Sequence, residues 1–199
     1  MTWQSRAATR KASAAQPGRR PLADPKLPTT RVPLLETERL RLRGHRLEDF
    51  EDLAAMWGSK DVNRYIGAGQ TQQDAWERLL RYVGHWTLLG FGFWAVEEKA
   101  SGRYLGDVGL ADFKRAIDLP IEGQPECGWV LAPWCHGRGY ATEAVREALA
   151  WGDRNLPGRR AVCIIAPENE ASLRVAEKCG FKEVATTTFK GSAAILFRR

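Results

Sequence analysis

From Leu34 onward the apolar positions switch between a period of two and a period near 3.6. Leu40 and Leu42 alternate with Arg39, Arg41 and Arg43, which predicts a half-buried strand. Leu47, Phe50, Leu53, Ala54 and Trp57 then recur at helical spacing, with Glu48, Asp49, Glu51 and Asp52 crowding the early turns, where negative charge suits the helix dipole. After a loop through Tyr65 and Gly67, Thr71 followed three residues later by Asp74 has the form of a capping box. It predicts a second helix with a core stripe of Trp76, Leu79, Leu80 and Val83.

Phe91 to Glu97 and Tyr104 to Phe113 are β-rich runs on either side of the turn-like Lys99-Ala-Ser-Gly102, an antiparallel hairpin. Ile117 to Pro125 reads as a loop, and Cys127 to Leu131 as a short strand stopped by Pro133. Ala141, Ala144, Val145, Ala148 and Leu149 give a long helix packed by small residues and ending near Gly152. Arg160 to Ala166 predicts a strand, Asn169 to Cys179 a helix ended by Gly180, and Glu183 to Thr188 with Ala193 to Arg198 a closing hairpin around Lys190 and Gly191. The fold class is therefore α/β: a single domain with a mixed, mostly antiparallel sheet of about seven strands flanked by about four helices. The unit around Ala141 should supply a parallel pair.

The chain has 199 residues, enough for one domain and a remainder. With 44% hydrophobic and 27% charged residues, wholesale disorder is excluded, and the longest apolar runs fall well short of the ~20 residues of a spanning helix. Charge is unevenly placed. Residues 1–33 hold seven bases and one acid, and the remaining 23 bases and 23 acids cancel, so the net charge of +6 belongs to the N-terminal segment. That segment carries prolines at 17, 21, 25, 28 and 33 and reads as a disordered basic tail, with 34–199 as the folded domain. A transit segment, or an arm that binds nucleic acid weakly, remains open for it. Cys127, Cys135, Cys163 and Cys179 form no Cys-x-x-Cys pair and have no histidine set at zinc spacing, which argues against a metal and a disulfide framework and for reduced thiols in the cytoplasm.

Candidate chemistry concentrates between Cys127 and Ala144, where a strand passes through a glycine-bearing turn into a helix. Such a turn offers unpaired amides at the positive end of a helix dipole, a site for phosphate. Gly137 and Gly139 let a backbone approach an anion, although a tight turn holding nothing has the same glycines. A dinucleotide fingerprint fails because Thr142 stands where a third Gly or Ala is required, and no Gly-Lys-Ser/Thr is present for a P-loop.

His136-Gly-Arg-Gly-Tyr-Ala141 resembles the Gln/Arg-x-x-Gly-x-Gly/Ala pyrophosphate loop of the GNAT superfamily of acyl-CoA N-acetyltransferases. Gly139-Tyr-Ala-Thr-Glu-Ala144 looks like its ribosomal-protein N-acetyltransferase-like branch, as does Asn169-Glu-Ala-Ser172, followed by Gly180 and Phe181. The resemblance spans roughly Leu34 to Arg199 and departs from the pattern at two positions: His136 replaces Gln or Arg, and Ala176 stands where many members have a Tyr that protonates the leaving thiolate.

The resemblance implies an acetyl-CoA-dependent transfer to a primary amine, of a protein N-terminus or a small molecule, by direct attack and without a metal. It implies that amides of Gly137, Arg138, Gly139, Tyr140 and Ala141 hold the pyrophosphate, with His136 at the head of the loop. Backbone near Val130 and Leu131 would pair with pantetheine, and Asn169 would touch the pantetheine arm unless it merely caps its helix. Glu126 becomes the leading base, against a reading as a solvated strand-end carboxylate, with Asp107 and Asp112 behind it; Ser172 becomes a proton donor or water anchor. His45 and His85 read as isolated surface or packing residues, and most of the eight tryptophans as core. The partner is thus an amine acceptor and not a membrane, with the chain a monomer or homodimer. A non-catalytic acyl-CoA sensor and a ribosome- or RNA-associated module are the alternatives.

Overall fold

The structure, a computed structural model, describes residues 31–67, 71–115, 117, 119 and 121–199. Most of the predicted tail, residues 1–30, lies outside the described residues. Where the chain enters, Val32 packs against the core and the Pro33 carbonyl accepts from Trp94 Nε1 at 2.9 Å.

Among the described residues, eight strands form one sheet: β1 (Leu35–Glu36), β2 (Leu40–Arg43), β3 (Phe93–Glu98), β4 (Tyr104–Ala111), β5 (Glu126–Leu131), β6 (Val162–Ile165), β7 (Lys182–Phe189) and β8 (Ser192–Arg198). Their spatial order is β1-β2-β3-β4-β5-β6-β8-β7. The helices are α1 (Phe50–Gly58), α2 (Lys60–Asn63), α3 (Gln72–Leu89), α4 (Tyr140–Asn155) and α5 (Glu170–Lys178), with short 3-10 turns at Leu47–Asp49 and Pro133–Cys135. The sequence pattern misses β1 and α2, which at two and four residues are too short to show a period, and it ends α4 at Gly152, one turn early.

Antiparallel pairing runs from β1 to β5 and again from β6 through β8 to β7. The predicted parallel pair joins β5 to β6 at one position, Glu126 opposite Val162. Beyond it, the two strands part toward their C-terminal ends.

Neighbouring residues of β3 and β4 face opposite ways, and this sorts the helices. Tyr82 of α3 stacks on Phe93 at 4.8 Å and Trp57 of α1 donates to Asp107, so α1 and α3 lie on one face. Trp151 of α4 meets Trp94 at 5.3 Å and a Cβ on Gly152 would come within 2.7 Å of Leu110, which puts α4 on the other. α5 lies beside α4, its Lys178 carbonyl accepting from Arg146.

The predicted capping box of α3 is present, with Thr71 Oγ1 accepting from the Asp74 amide at 3.1 Å and the Asp74 carboxylate accepting from the Thr71 amide at 2.7 Å. Its core stripe differs from the predicted one. Ala75, Leu79, Tyr82 and Trp86 are buried, whereas Trp76, Leu80 and Val83 are 40%, 53% and 48% exposed. The helix carries two neighbouring apolar rows, and the sheet takes the one that brings Tyr82 onto Phe93. Of the eight tryptophans, Trp57, Trp86, Trp94 and Trp151 are core, while Trp76, expected in the core, and Trp134 are exposed.

Candidate active site

The strand-to-helix turn is where two glycines make a shape other residues resist. Gly137 and Gly139 have φ of +75° and +81°, the left-handed region that favours glycine. A Cβ at Gly137 would meet open space, so its cost is backbone strain alone. Gly139 is the N-cap of α4, and among the described residues no side chain caps this end. By contrast, α3 is closed by Thr71 and α5 by Asn169, whose Oδ1 accepts from the Ser172 amide at 3.1 Å. The first intrahelical bond of α4 is Glu143 N to Gly139 O, so the amides of Tyr140, Ala141 and Thr142 have no carbonyl within the helix. An uncapped helix start preceded by two left-handed glycines suits a diphosphate.

Side chains hold this turn from behind. His136 Nε2 donates to the Leu131 carbonyl at 2.8 Å and ties the turn to the end of β5. The Tyr140 ring is buried, its hydroxyl donating to Glu98, so its backbone and not its side chain is what the turn presents. Arg39 reaches in from the start of β2, with Nη1 donating to the Arg138 carbonyl at 3.0 Å. Beside the turn a groove of about 640 Å³ runs along α4 past Thr142, Arg146 and Lys178.

The open edge of β5 begins where pairing with β6 stops. Ala132 N donates to Leu105 O at 2.8 Å, so Ala132 and, by the alternation of antiparallel ladders, Val130 and Gly128 turn their amides and carbonyls toward β4. Trp129 and Leu131 then aim theirs at the gap between β5 and β6. With the Leu131 carbonyl engaged by His136, its amide and both backbone groups of Trp129 face the split. Of the expected pair, Leu131 presents backbone to the gap and Val130 presents it to β4.

Glu126 does not have the solvated strand-end setting considered for it. It is 7% exposed, and both its oxygens accept from Arg115, Oε2 from Nε at 2.5 Å and Oε1 from Nη2 at 2.6 Å. The Arg115 guanidinium lies over the rings of Phe113 and Phe189, at 4.8 and 4.5 Å, which links the carboxylate to the closing hairpin. Ser172 is half-buried on α5. Ala176 is fully buried in the core.

Among the weaker candidates, Asp112 pairs with Lys114 at 2.7 Å. Asp107 is fully buried and accepts from His45 Nε2 at 2.8 Å, Trp57 Nε1 at 3.0 Å and the Tyr104 hydroxyl. His45, read as isolated, is thus bonded to a carboxylate 62 residues away. Sequence reasoning also missed Arg39, Glu98 and Arg115. The only signals were that Arg39 belongs to the polar half of a strand pattern and that Glu143, its partner, stands in the Gly139–Ala144 string.

A strand that splits from its parallel neighbour, followed by a glycine turn and an uncapped helix, defines a protein that can grip a diphosphate and lay the attached arm along a strand edge. The Acetyltransferase (GNAT) domain family matches residues 39–182, and the chain belongs to that family. The uncharacterized protein YkkB of Bacillus subtilis (strain 168) is 32% identical over 152 residues, which are 73% of this chain and 83% of YkkB. A putative GnaT-family acetyltransferase from Bordetella pertussis is 32% identical with a TM-score of 0.73, the match covering 84% of this chain and 99% of that one. The fold is also that of RimL, a ribosomal L7/L12 alpha-N-protein acetyltransferase in complex with coenzyme A, at 14% identity and a TM-score of 0.69 over 84% of this chain and 97% of RimL. Membership implies acyl-CoA-dependent acetyl transfer.

Proposed function

We propose that the chain is a cytoplasmic acetyl-CoA-dependent N-acetyltransferase that moves an acetyl group to a primary amine, of a protein N-terminus or a small molecule, by direct attack. The observation that carries this reading is the uncapped start of α4 behind Gly137 and Gly139, beside the gap between β5 and β6. Four buried cysteines without a disulfide fit a reducing compartment.

Acetyl-CoA, as the donor substrate, supplies an activated thioester carbonyl. The amides of Gly137, Arg138, Gly139, Tyr140 and Ala141 bind its diphosphate, with His136 holding the turn against β5. The backbone of Trp129 and Leu131 aligns the arm, and a strand amide at the carbonyl oxygen stabilises the charge that grows there. Asn169 keeps its Nδ2 for the same arm while its Oδ1 caps α5. The amine nitrogen attacks the carbonyl carbon, the C–S bond breaks, and the proton lost by the amine must leave.

Glu126 takes that proton, directly or through a water. Both its oxygens accept from the Arg115 guanidinium, which orients the carboxylate and must surrender one hydrogen bond when the carboxyl takes a proton. Ser172 or a water it anchors returns a proton to sulphur. The domain performing this runs from about Leu34 to Arg199.

Buried Ala176 favours one second reading, an acyl-CoA-binding protein without turnover, because no tyrosine hydroxyl stands at that position. Thiol release from acetyl-CoA over a panel of amines separates the two. Glu126→Gln and Ser172→Ala should each slow release by about 10²-fold or more, typical of losing a general acid or base. Unchanged turnover in both would remove the acid–base assignment and leave the binding site standing.

A further inference from the structure

We propose that Arg39 is a positioning residue that aims the phosphate-binding amides of the turn without itself contacting the ligand, an inference that rests on that turn being the diphosphate site. Glycine tolerates both signs of φ, so nothing inside the turn fixes which way the Arg138–Gly139 peptide faces. The Arg138 carbonyl and the Gly139 N–H belong to one planar trans unit and point in opposite directions. Arg39 Nη1 holds that carbonyl at 3.0 Å, which turns the Gly139 amide away from β2.

The rest of Arg39 is committed elsewhere. Its Nε donates to Glu143 Oε2 at 2.8 Å and its Nη2 lies 2.6 Å from the same oxygen, while its guanidinium carbon lies 4.6 Å from the centre of the Tyr140 ring. Glu143 Oε1 accepts from the Arg39 amide at 3.0 Å and from Thr37 Oγ1 at 2.5 Å. Burial raises the Glu143 carboxyl, but these bonds more than offset it and hold it below its ordinary range, so the pair is charged and internally neutralised. The carbonyl of Arg39 accepts from Lys99 N at 2.9 Å, which anchors it to the hairpin beyond β3. Tyr140, beneath the guanidinium, is tied to Glu98 at the end of β3. The first turn of α4 and the adjoining ends of β2 and β3 are therefore one unit, with Arg39 at its centre.

The test measures coenzyme A and S-acetylpantetheine, which lacks the diphosphate, by calorimetry and as ligand or donor with wild-type chain, Arg39→Gln and Arg39→Lys. Both variants should bind coenzyme A about tenfold more weakly while S-acetylpantetheine changes less than twofold, and KM for acetyl-CoA should rise with kcat held. Lysine keeps the charge but cannot span Arg138 O and Glu143 together. Full rescue by lysine, equal losses for both ligands, or coenzyme A binding within twofold of wild type would each overturn the proposal. Should Arg39→Gln fail to fold, Glu143→Gln must give the same selective loss, and its absence counts against the proposal equally. A wild-type chain that does not bind coenzyme A would instead refute the diphosphate site itself.

Discussion

Asp107 shows how much a single buried carboxylate can organise. Three donors from β2's exit, α1 and β4 converge on it, and the ring of Tyr82 lies 4.7 Å from that of His45. Asp107→Asn puts an amide NH₂ where an oxygen accepts, facing donors, so it should cost about 3 kcal/mol of unfolding free energy in urea titrations. Arg43 makes a similar junction with Asp49 and Glu97 at 2.7 to 2.8 Å. Burial alone would raise both carboxyls, but hydrogen bonds and charge from Arg43, with the Arg46 amide on Asp49 and Arg41 on Glu97, hold them below their ordinary 3.8 and 4.5. The unfolded chain therefore binds more protons in acid. The stabilisation is complete above those ordinary values and is lost as pH falls through and below them. Unfolding titrations between pH 5 and pH 3 should show this decline, and Arg43→Met should make it shallower. His45 with Asp107 and Arg43 with Glu97 could not be paired from sequence, because they are 62 and 54 positions apart.

Most elements were legible because period and capping are local properties. The α3 box of Thr71 and Asp74, the hairpin turn at Lys99–Gly102 and the small-residue stripe of α4 all form as their residues require. The face of α3 was not legible, since Trp76, Leu80 and Val83 lie at helical spacing just as Leu79, Tyr82 and Trp86 do. Which row is buried depends on where Phe93 and Trp94 stand. Leu79→Ala should cost about 2–5 kcal/mol by thermal or urea unfolding, whereas Leu80→Lys should stay within about 0.5 kcal/mol. Equal losses would mean that both rows are covered in solution. The departure at Ala176 follows the same logic: the position lies fully buried in the packed interior, which the sequence does not reveal.

For the whole molecule, the sheet is two antiparallel blocks joined at a single parallel step, and the candidate site occupies the place where that step gives way. The four cysteines lie in this interior. Burial pushes the thiols of Cys127, Cys135, Cys163 and Cys179 up, so none should react with a thiol reagent at pH 8 in the native chain, and all four should react in denaturant. The sequence by itself determined the order of the longer elements, the two glycines at the head of α4, and the family those residues resemble, because each is written in contiguous residues. Only the tertiary structure decided that Glu126 is tied to Arg115, that Trp129 and Leu131 turn backbone toward the split, and that Arg39 holds the turn. Those contacts join residues brought together by the crossing of strands, and the physical cause is register: which atoms of one strand meet the next is fixed by pairing along the whole sheet and by nothing within either segment.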